Sequence, residues 1–364
     1  MRRWLFGLGL ALLAHAGAQD LHGCGGQPGL PGGVRDGVYR GTLGGRPVAL
    51  QIRHADVDGS AYYYERIGLD IPLTAFRQGT ALILQEEVRK SQGDDAVVTG
   101  CFTLRPTAAG LGGTWRAPGS TKTLAVTLRA VNVGALPMNL PDTAAAATLR
   151  RDDPLTFLKL NRLWVRAADG RSVTEPASQL VYPRVPGASA ALNTALQDRQ
   201  LRLAADALDC RSQLAQDMQR DPGNGYELGA KLTFQGARLV SVREDVYYYC
   251  GGAHPDTYTQ GVILDRASGR EVKVAQLWPG LTGAKQEALY LAHPAPDLDP
   301  ACRDVLREGG LEFTAHLSPA GVNLTPTSLP HVVAACAETT VISYAEIGNL
   351  ADTRSPYIGD LYKR

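Results

Sequence analysis

The sequence predicts an α+β chain, with a small antiparallel β-barrel or sandwich first and then an antiparallel sheet carrying one long packed helix. Three observations carry this. Between Gly37 and Val133 short β-prone runs recur between turn signals, with no helical segment among them. From Ala190 to Met218 the apolar residues Leu192, Leu196, Leu203, Ala207 and Leu214 fall at helical spacing. Glycine (40) and proline (22) are abundant for a helical protein and suit many turns between short strands.

Taken in order, residues 1–18 read as an export signal: Arg2 and Arg3 are the positive region, Trp4 to Leu13 the apolar run, and Ala16-Gly17-Ala18 the small residues before cleavage near Gln19. Residues 19–34 form a glycine- and proline-rich leader. Leu21-His22-Gly23-Cys24 holds the leucine, glycine and cysteine of a lipidation site, so a lipid anchor at Cys24 is the alternative to a plain periplasmic or extracellular product. No later run approaches the roughly 18 apolar residues that span a bilayer. With Lys+Arg 37 against Asp+Glu 36, a net charge of +1 offers no electrostatic reason for nucleic acid or an anionic membrane as partner.

Residues 35–133 contain the runs GVYRGTL, RPVALQIRH, SAYYYERI, LDIPLTAF, TALILQEEV, VVTGCFTLR, LGGTWRA and TLAVTLRAV, several alternating apolar and polar residues as half-buried strands do. Residues 134–154, with Pro137, Pro141, Pro154 and the run from Ala144 to Ala147, read as a linker. The second part, 155–364, opens with strand-like text at Leu155 to Val165 and Gln179 to Val185. The long helix follows, stopped by Asp221-Pro222-Gly223-Asn224-Gly225. Strands are expected at Tyr226 to Phe234, Leu239 to Tyr249 and Tyr258 to Asp265. Helices are expected at Ala284 to Leu291 and Pro300 to Arg307, with two late strands at Leu311 to Leu317 and Thr339 to Ile342.

The six cysteines all lie beyond the cleavage point, and an even count in an exported chain points to disulfides. The two-part layout favours Cys24 with Cys101, Cys210 with Cys250, and Cys302 with Cys336. The latter two would close loops of roughly 35 to 40 residues and stabilise by on the order of 3 to 4 kcal/mol each on the chain-entropy argument.

The stretch Tyr247-Tyr248-Tyr249-Cys250-Gly251-Gly252-Ala253-His254-Pro255 joins an aromatic strand to a glycine turn carrying a histidine. Gly251 and Gly252 permit positive φ and close backbone approach. Their amides, with His254, Asp256, Tyr247 and Tyr249, make the candidate binding set; a purely structural turn is the competing reading. The histidines show no HxH or HExxH spacing and no cysteine pair is CxxC, so neither a metal nor a cofactor is expected. No GxSxG is present, and no catalytic residue is assigned. Asp56-Val57-Asp58-Gly59-Ser60 reads as a hairpin turn rather than a calcium loop, and Asp297-Leu298-Asp299-Pro300 as a helix cap.

Two resemblances add to this. Tyr39-Arg40-Gly41-Thr42-Leu43-Gly44-Gly45-Arg46-Pro47-Val48, Gly59 to Tyr64 and Gly113-Thr114-Trp115 resemble a compact β domain that recurs in exported bacterial proteins. Tyr182-Pro183, Asn193, Gly251-Gly252-Ala253-His254-Pro255, Leu264 to Glu271, Leu277-Trp278, Phe313 to Gly321 and Ile342 to Ile347 resemble a domain of unknown function. It forms the extracellular C-terminus of lysozyme-sensing anti-sigma factors and of some peptidoglycan deacetylases. The resemblance implies a non-enzymatic binding module at the cell envelope, whose partner is a secreted lysozyme-like hydrolase or a peptidoglycan fragment. Neither the cytoplasmic segment of the anti-sigma factors nor the metal motif of a deacetylase accompanies it here. The alternatives are an envelope hydrolase or accessory subunit using His254 with Asp256, and a structural envelope protein whose aromatic runs are internal. Oligomeric state is left open.

Overall fold

The computed structural model describes residues 23–53, 59–91, 93–216, 218, 225–295 and 298–362. The export signal and the Asp56–Asp58 turn fall outside them. The first part is an eight-stranded up-and-down barrel. Its strands are β2 (Gly37–Leu43), β3 (Arg46–Ile52), β4 (Ser60–Tyr64), β5 (Ile71–Gln78), β6 (Ala81–Val88), β7 (Val97–Thr107), β8 (Gly110–Arg116) and β9 (Thr123–Val131). Each pairs antiparallel with the next and β9 closes onto β2, which removes the free edges. The short β1 (Gln27–Pro28) lies along β5. Inward residues such as Leu50, Tyr62, Leu84, Phe102 and Leu128 pack on one another, so the interior is filled with side chains. Trp115 lies partly buried at the rim, its indole N–H donating to Glu86 at 3.0 Å beside Tyr62 and Thr99, which donate to the same carboxylate. Gly100 makes room for that indole: a Cβ there would lie 2.1 Å from Trp115 Nε1.

The stretch read as a linker carries a helix, and a second begins at its end. Thr143 and Asp153 cap α1 (Ala144–Asp152) and α2 (Pro154–Leu160), and Pro154 sits in the first turn of α2, where its missing N–H costs nothing. Leu155 to Leu160 is therefore helix rather than strand. Its β-prone text is used to bury Leu155 and Phe157 against Val38, Ala49 and Tyr63 on the outside of the barrel. Under this helix the fully buried Lys159 pairs with Asp70 at 2.5 Å and lies over the Tyr63 ring. Burial of Asp70 outweighs that pairing and pushes its carboxyl above the ordinary carboxylate value.

A small sheet follows: β10 (Val165–Arg166), β11 (Ser172–Thr174) and β12 (Val181–Pro183). The long helix α3 (Ala190–Gln213) starts at the Ser189 cap and ends five residues short of the expected Met218. It is buried on two sides. Leu192, Leu196 and Leu203 face the next sheet, while Leu201, Ala204 and Leu208 face α1 and α2.

That sheet is β13 (Tyr226–Gln235), β14 (Leu239–Tyr248) and β15 (Asp256–Asp265), in that order and antiparallel. Then come α4 (Val274–Leu277), α5 (Gly283–Ala292) and α6 (Pro300–Arg307), the last capped by Asp299 as expected. A final sheet is β16 (Phe313–Ser318), β17 (Gly321–Pro326) and β18 (Thr340–Ser343), with α7 (Ile358–Leu361) closing the chain. Leu317, Val322, Leu324 and Ile342 share a core with the fully buried Trp278. Three disulfides join Cys24 to Cys101, Cys210 to Cys250, and Cys302 to Cys336. The Cys24 sulfur, bonded to Cys101, is not free for the lipid considered above. Among the described residues no helix is long and apolar enough to cross a membrane. The disulfides fit an oxidising, extracytoplasmic compartment.

Candidate functional site

Side chains alternate across β13–β15, so the sheet has two unlike faces. On one, Val242, Val246 and Val262 pack under α3. There Glu244, 1 % exposed, takes both guanidinium bonds of Arg199 (2.7 and 2.6 Å) and the Tyr182 hydroxyl. Burial lowers the pKa of Arg199, but the Glu244 carboxylate more than offsets it and holds the guanidinium charged.

The other face is covered only in part. Strand β16 crosses it at Gly261, where a Cβ would lie 2.2 Å from Ala315 O, and where Thr314 Oγ1 accepts the Gly261 N–H at 2.7 Å. Beside this crossing His316 is 3 % exposed and its Nδ1 has no hydrogen-bond partner. Burial and the nearby Arg243 push its pKa down to about 4, Asp245 opposing, so the ring is neutral.

Beyond the crossing, two cross-strand rows remain open: Glu227, Tyr247 and Thr257, then Gly229, Asp245 and Thr259. They floor a groove of about 660 Å³. Its wall is Thr325, Thr327 and a turn from His331 to Cys336 that the Cys302–Cys336 bridge ties to α6. Asp245 Oδ1 accepts from Arg243 Nε and from Thr259 Oγ1, both at 2.8 Å.

The structure divides the candidate set from the sequence. Tyr247 (42 % exposed) and Asp256 line the groove. His254 stands at its edge, stacked on His331 with centroids 3.7 Å apart, and both rings turn a nitrogen toward the Pro255 carbonyl. It is His331, not His254, whose Nε2 lies 3.8 Å from Asp256 Oδ1. Asp256 accepts in addition from the Tyr248 hydroxyl and the Thr257 N–H. Gly251, Gly252 and Tyr249 lie off the groove. Of the two glycines only Gly251 takes a positive φ (82°), in the turn after the Cys210–Cys250 bridge, and Tyr249 donates to the Gly252 carbonyl. Asp245, Thr259, Thr325 and His331 were not singled out from sequence. The first two share a face with Tyr247 at strand spacing, which could have found them; the others come from distant segments. Among the described residues no group of three or more His, Cys, Asp or Glu could hold a metal ion.

No family model matches the chain, and no curated protein matches it. Crystal structures similar to part of it include two of one family. One is a DUF3298 family protein from Pseudomonas aeruginosa PAO1, 20 % identical with a TM-score of 0.28, covering 36 % of this chain and 64 % of that one. The other is a member of the same family from Bacteroides fragilis NCTC 9343, 14 % identical with a TM-score of 0.31, covering 49 % and 75 %. The chain thus spans under two thirds of the first protein's length. The likeness is to part of the fold and assigns no ligand.

Proposed function

We propose that the chain is an exported binding module of the cell envelope which holds its partner in the groove over β13–β15, the partner being a secreted lysozyme-like hydrolase or a peptidoglycan fragment. The observation that carries this reading is the groove: three strands floor it, a disulfide-tied turn walls it, and the aromatic Tyr247 lies open in it. The export signal read in residues 1–18 and the three disulfides support a place outside the cytoplasm. In this reading residues 35–133 and 155–364 are the two units of the mature chain, joined by 134–154, which carries α1.

The test is capture from envelope extracts, together with binding and inhibition assays against a panel of lysozymes and muropeptides, using mature protein with its disulfides verified. A specific partner that is lost on Tyr247→Ala is the expected result. A protein that retains nothing from the extract, the lysozymes or the muropeptides overturns the reading.

A further inference from the structure

The groove's lining carries the reading one step further, and this step rests on the groove being a binding site. We propose that it takes an oligosaccharide, with Tyr247 as the stacking platform for a pyranose ring and Asp245 as the acceptor for its hydroxyls. The C–H face of a pyranose is apolar and its rim is a ring of hydroxyls, so a site for it needs an aromatic floor beside fixed polar acceptors. Both are on one face of β14, two residues apart.

Asp245 is oriented before any ligand arrives. Its Oδ1 is occupied by Arg243 and Thr259, while Oδ2 has no hydrogen-bond partner among the described residues. A sugar hydroxyl donating to that oxygen makes a charge-assisted bond. The register partner of Asp245 is Gly229, which places no side chain on the floor. A Cβ there would find its nearest neighbour, Asp245 O, at 3.7 Å, so the protein's own packing does not demand glycine and the space is left to the groove. Thr325 on the opposite wall is buried, with its hydroxyl already bonded to Thr339, and shapes the groove. The volume, about 660 Å³, falls in the range of roughly 300–1,000 Å³ usual for small-ligand sites.

Of the three lining carboxylates only Asp245 is paired with a permanent cation, Arg243; the Tyr248 hydroxyl and Thr257 N–H orient Asp256 but leave its charge in place.

The experiment is calorimetric titration of the disulfide-intact mature protein with chitotetraose, cellotetraose and maltotetraose, in wild type and in Tyr247→Ala, Asp245→Asn and Gly229→Val. Saturable binding of at least one tetrasaccharide is expected, weakened roughly tenfold or more by the first two variants and abolished by Gly229→Val, which fills the floor. Valine is favoured on a strand, so that variant keeps the fold, as its melting curve will report. Binding of none of the three sugars by wild type, or sugar binding that survives Gly229→Val, overturns the proposal. If a secreted protein is captured through the groove while no sugar binds, the saccharide proposal falls and the binding-module reading stands; if neither binds, both fall.

Discussion

Replacing Arg199 by methionine isolates an ion pair that ties the long helix to the sheet beneath it. Arg199 is on α3, Glu244 on β14 and the third member, Tyr182, on β12. Glu244 is 1 % exposed and accepts Arg199 through both oxygens. Without the guanidinium, the carboxylate keeps one neutral donor, the Tyr182 hydroxyl, in a place water does not reach. Breaking one side of a buried pair costs about 3–5 kcal/mol, because the remaining charge stays desolvated. At about 2–4 °C per kcal/mol for a unit of 150–250 residues, the melting temperature falls by roughly 6–20 °C. The double variant Arg199→Met, Glu244→Leu removes the charge as well and loses less than Arg199→Met alone, its remaining cost being the unpaired Tyr182 hydroxyl, about 1–3 kcal/mol.

Calorimetry and urea titration of the two variants and wild type at pH 7 measure both losses. A loss below about 1 kcal/mol for Arg199→Met, the size of a surface pair, or a double variant as unstable as Arg199→Met alone, would refute the reasoning.

Other perturbations have defined outcomes. His316, depressed to about 4 by burial and Arg243, stabilises the fold fully above its unfolded pKa of about 6.5, and this is lost as pH falls through about 4. The full loss is about 3 kcal/mol. Urea titrations from pH 7.5 to 4 should show a shallower decline for His316→Leu than for wild type, and parallel curves would count against it. Gly100→Ala forces Trp115 off Glu86, which costs about 1–3 kcal/mol by overpacking and shifts tryptophan emission; unchanged emission would mean that the indole had another place to go. Converting Cys210 and Cys250 to serine opens a loop with a sequence separation of 40 and costs about 4 kcal/mol in the chain-entropy model, read by denaturation without reductant. A cost under about 1 kcal/mol would show that the unfolded chain is restrained by other means.

Where local pattern and tertiary use agreed, the fold was legible. Several barrel runs alternate because one side of each faces a filled interior, and the turns between them are glycine-rich for backbone reasons independent of the rest of the chain. Leu155 to Leu160 misled because Thr156 and Phe157 favour strands while the leucines and Lys159 favour helix. The Asp153 cap and Pro154 decide for the helix, and the side of the barrel supplies the burial that fixes it. Helix α1, inside the 134–154 connection, went unread for a related reason. Prolines there bound the elements instead of dissolving them, and the alanines allow α1 to lie close against α3. Leu214, extended at the end of α3, stops the helix before the glycine signal expected to do so.

The site was only half legible, and β17 explains why. Gly321-Val322-Asn323-Leu324-Thr325-Pro326 is buried along its whole length, yet it alternates apolar with polar residues and ends in proline, so it reads as turn and edge text. Its polar members are buried for tertiary reasons. Asn323 donates to the His316 and Gly321 carbonyls, and Thr325 shares a hydrogen bond with Thr339 before reaching the groove. Missing this strand meant missing the wall, and without a wall Tyr247 is one more exposed aromatic on a sheet. The glycine turn drew attention because it is conspicuous in sequence, but its geometry serves the Cys210–Cys250 crosslink and the exit of β14. What leaves a groove on the face beyond Gly261 is that β16 covers one end of the sheet and stops, leaving Asp245 anchored by Arg243 and Thr259 with an oxygen to spare. That arrangement joins residues from β14, β15 and β17, and no spacing within a single segment encodes it.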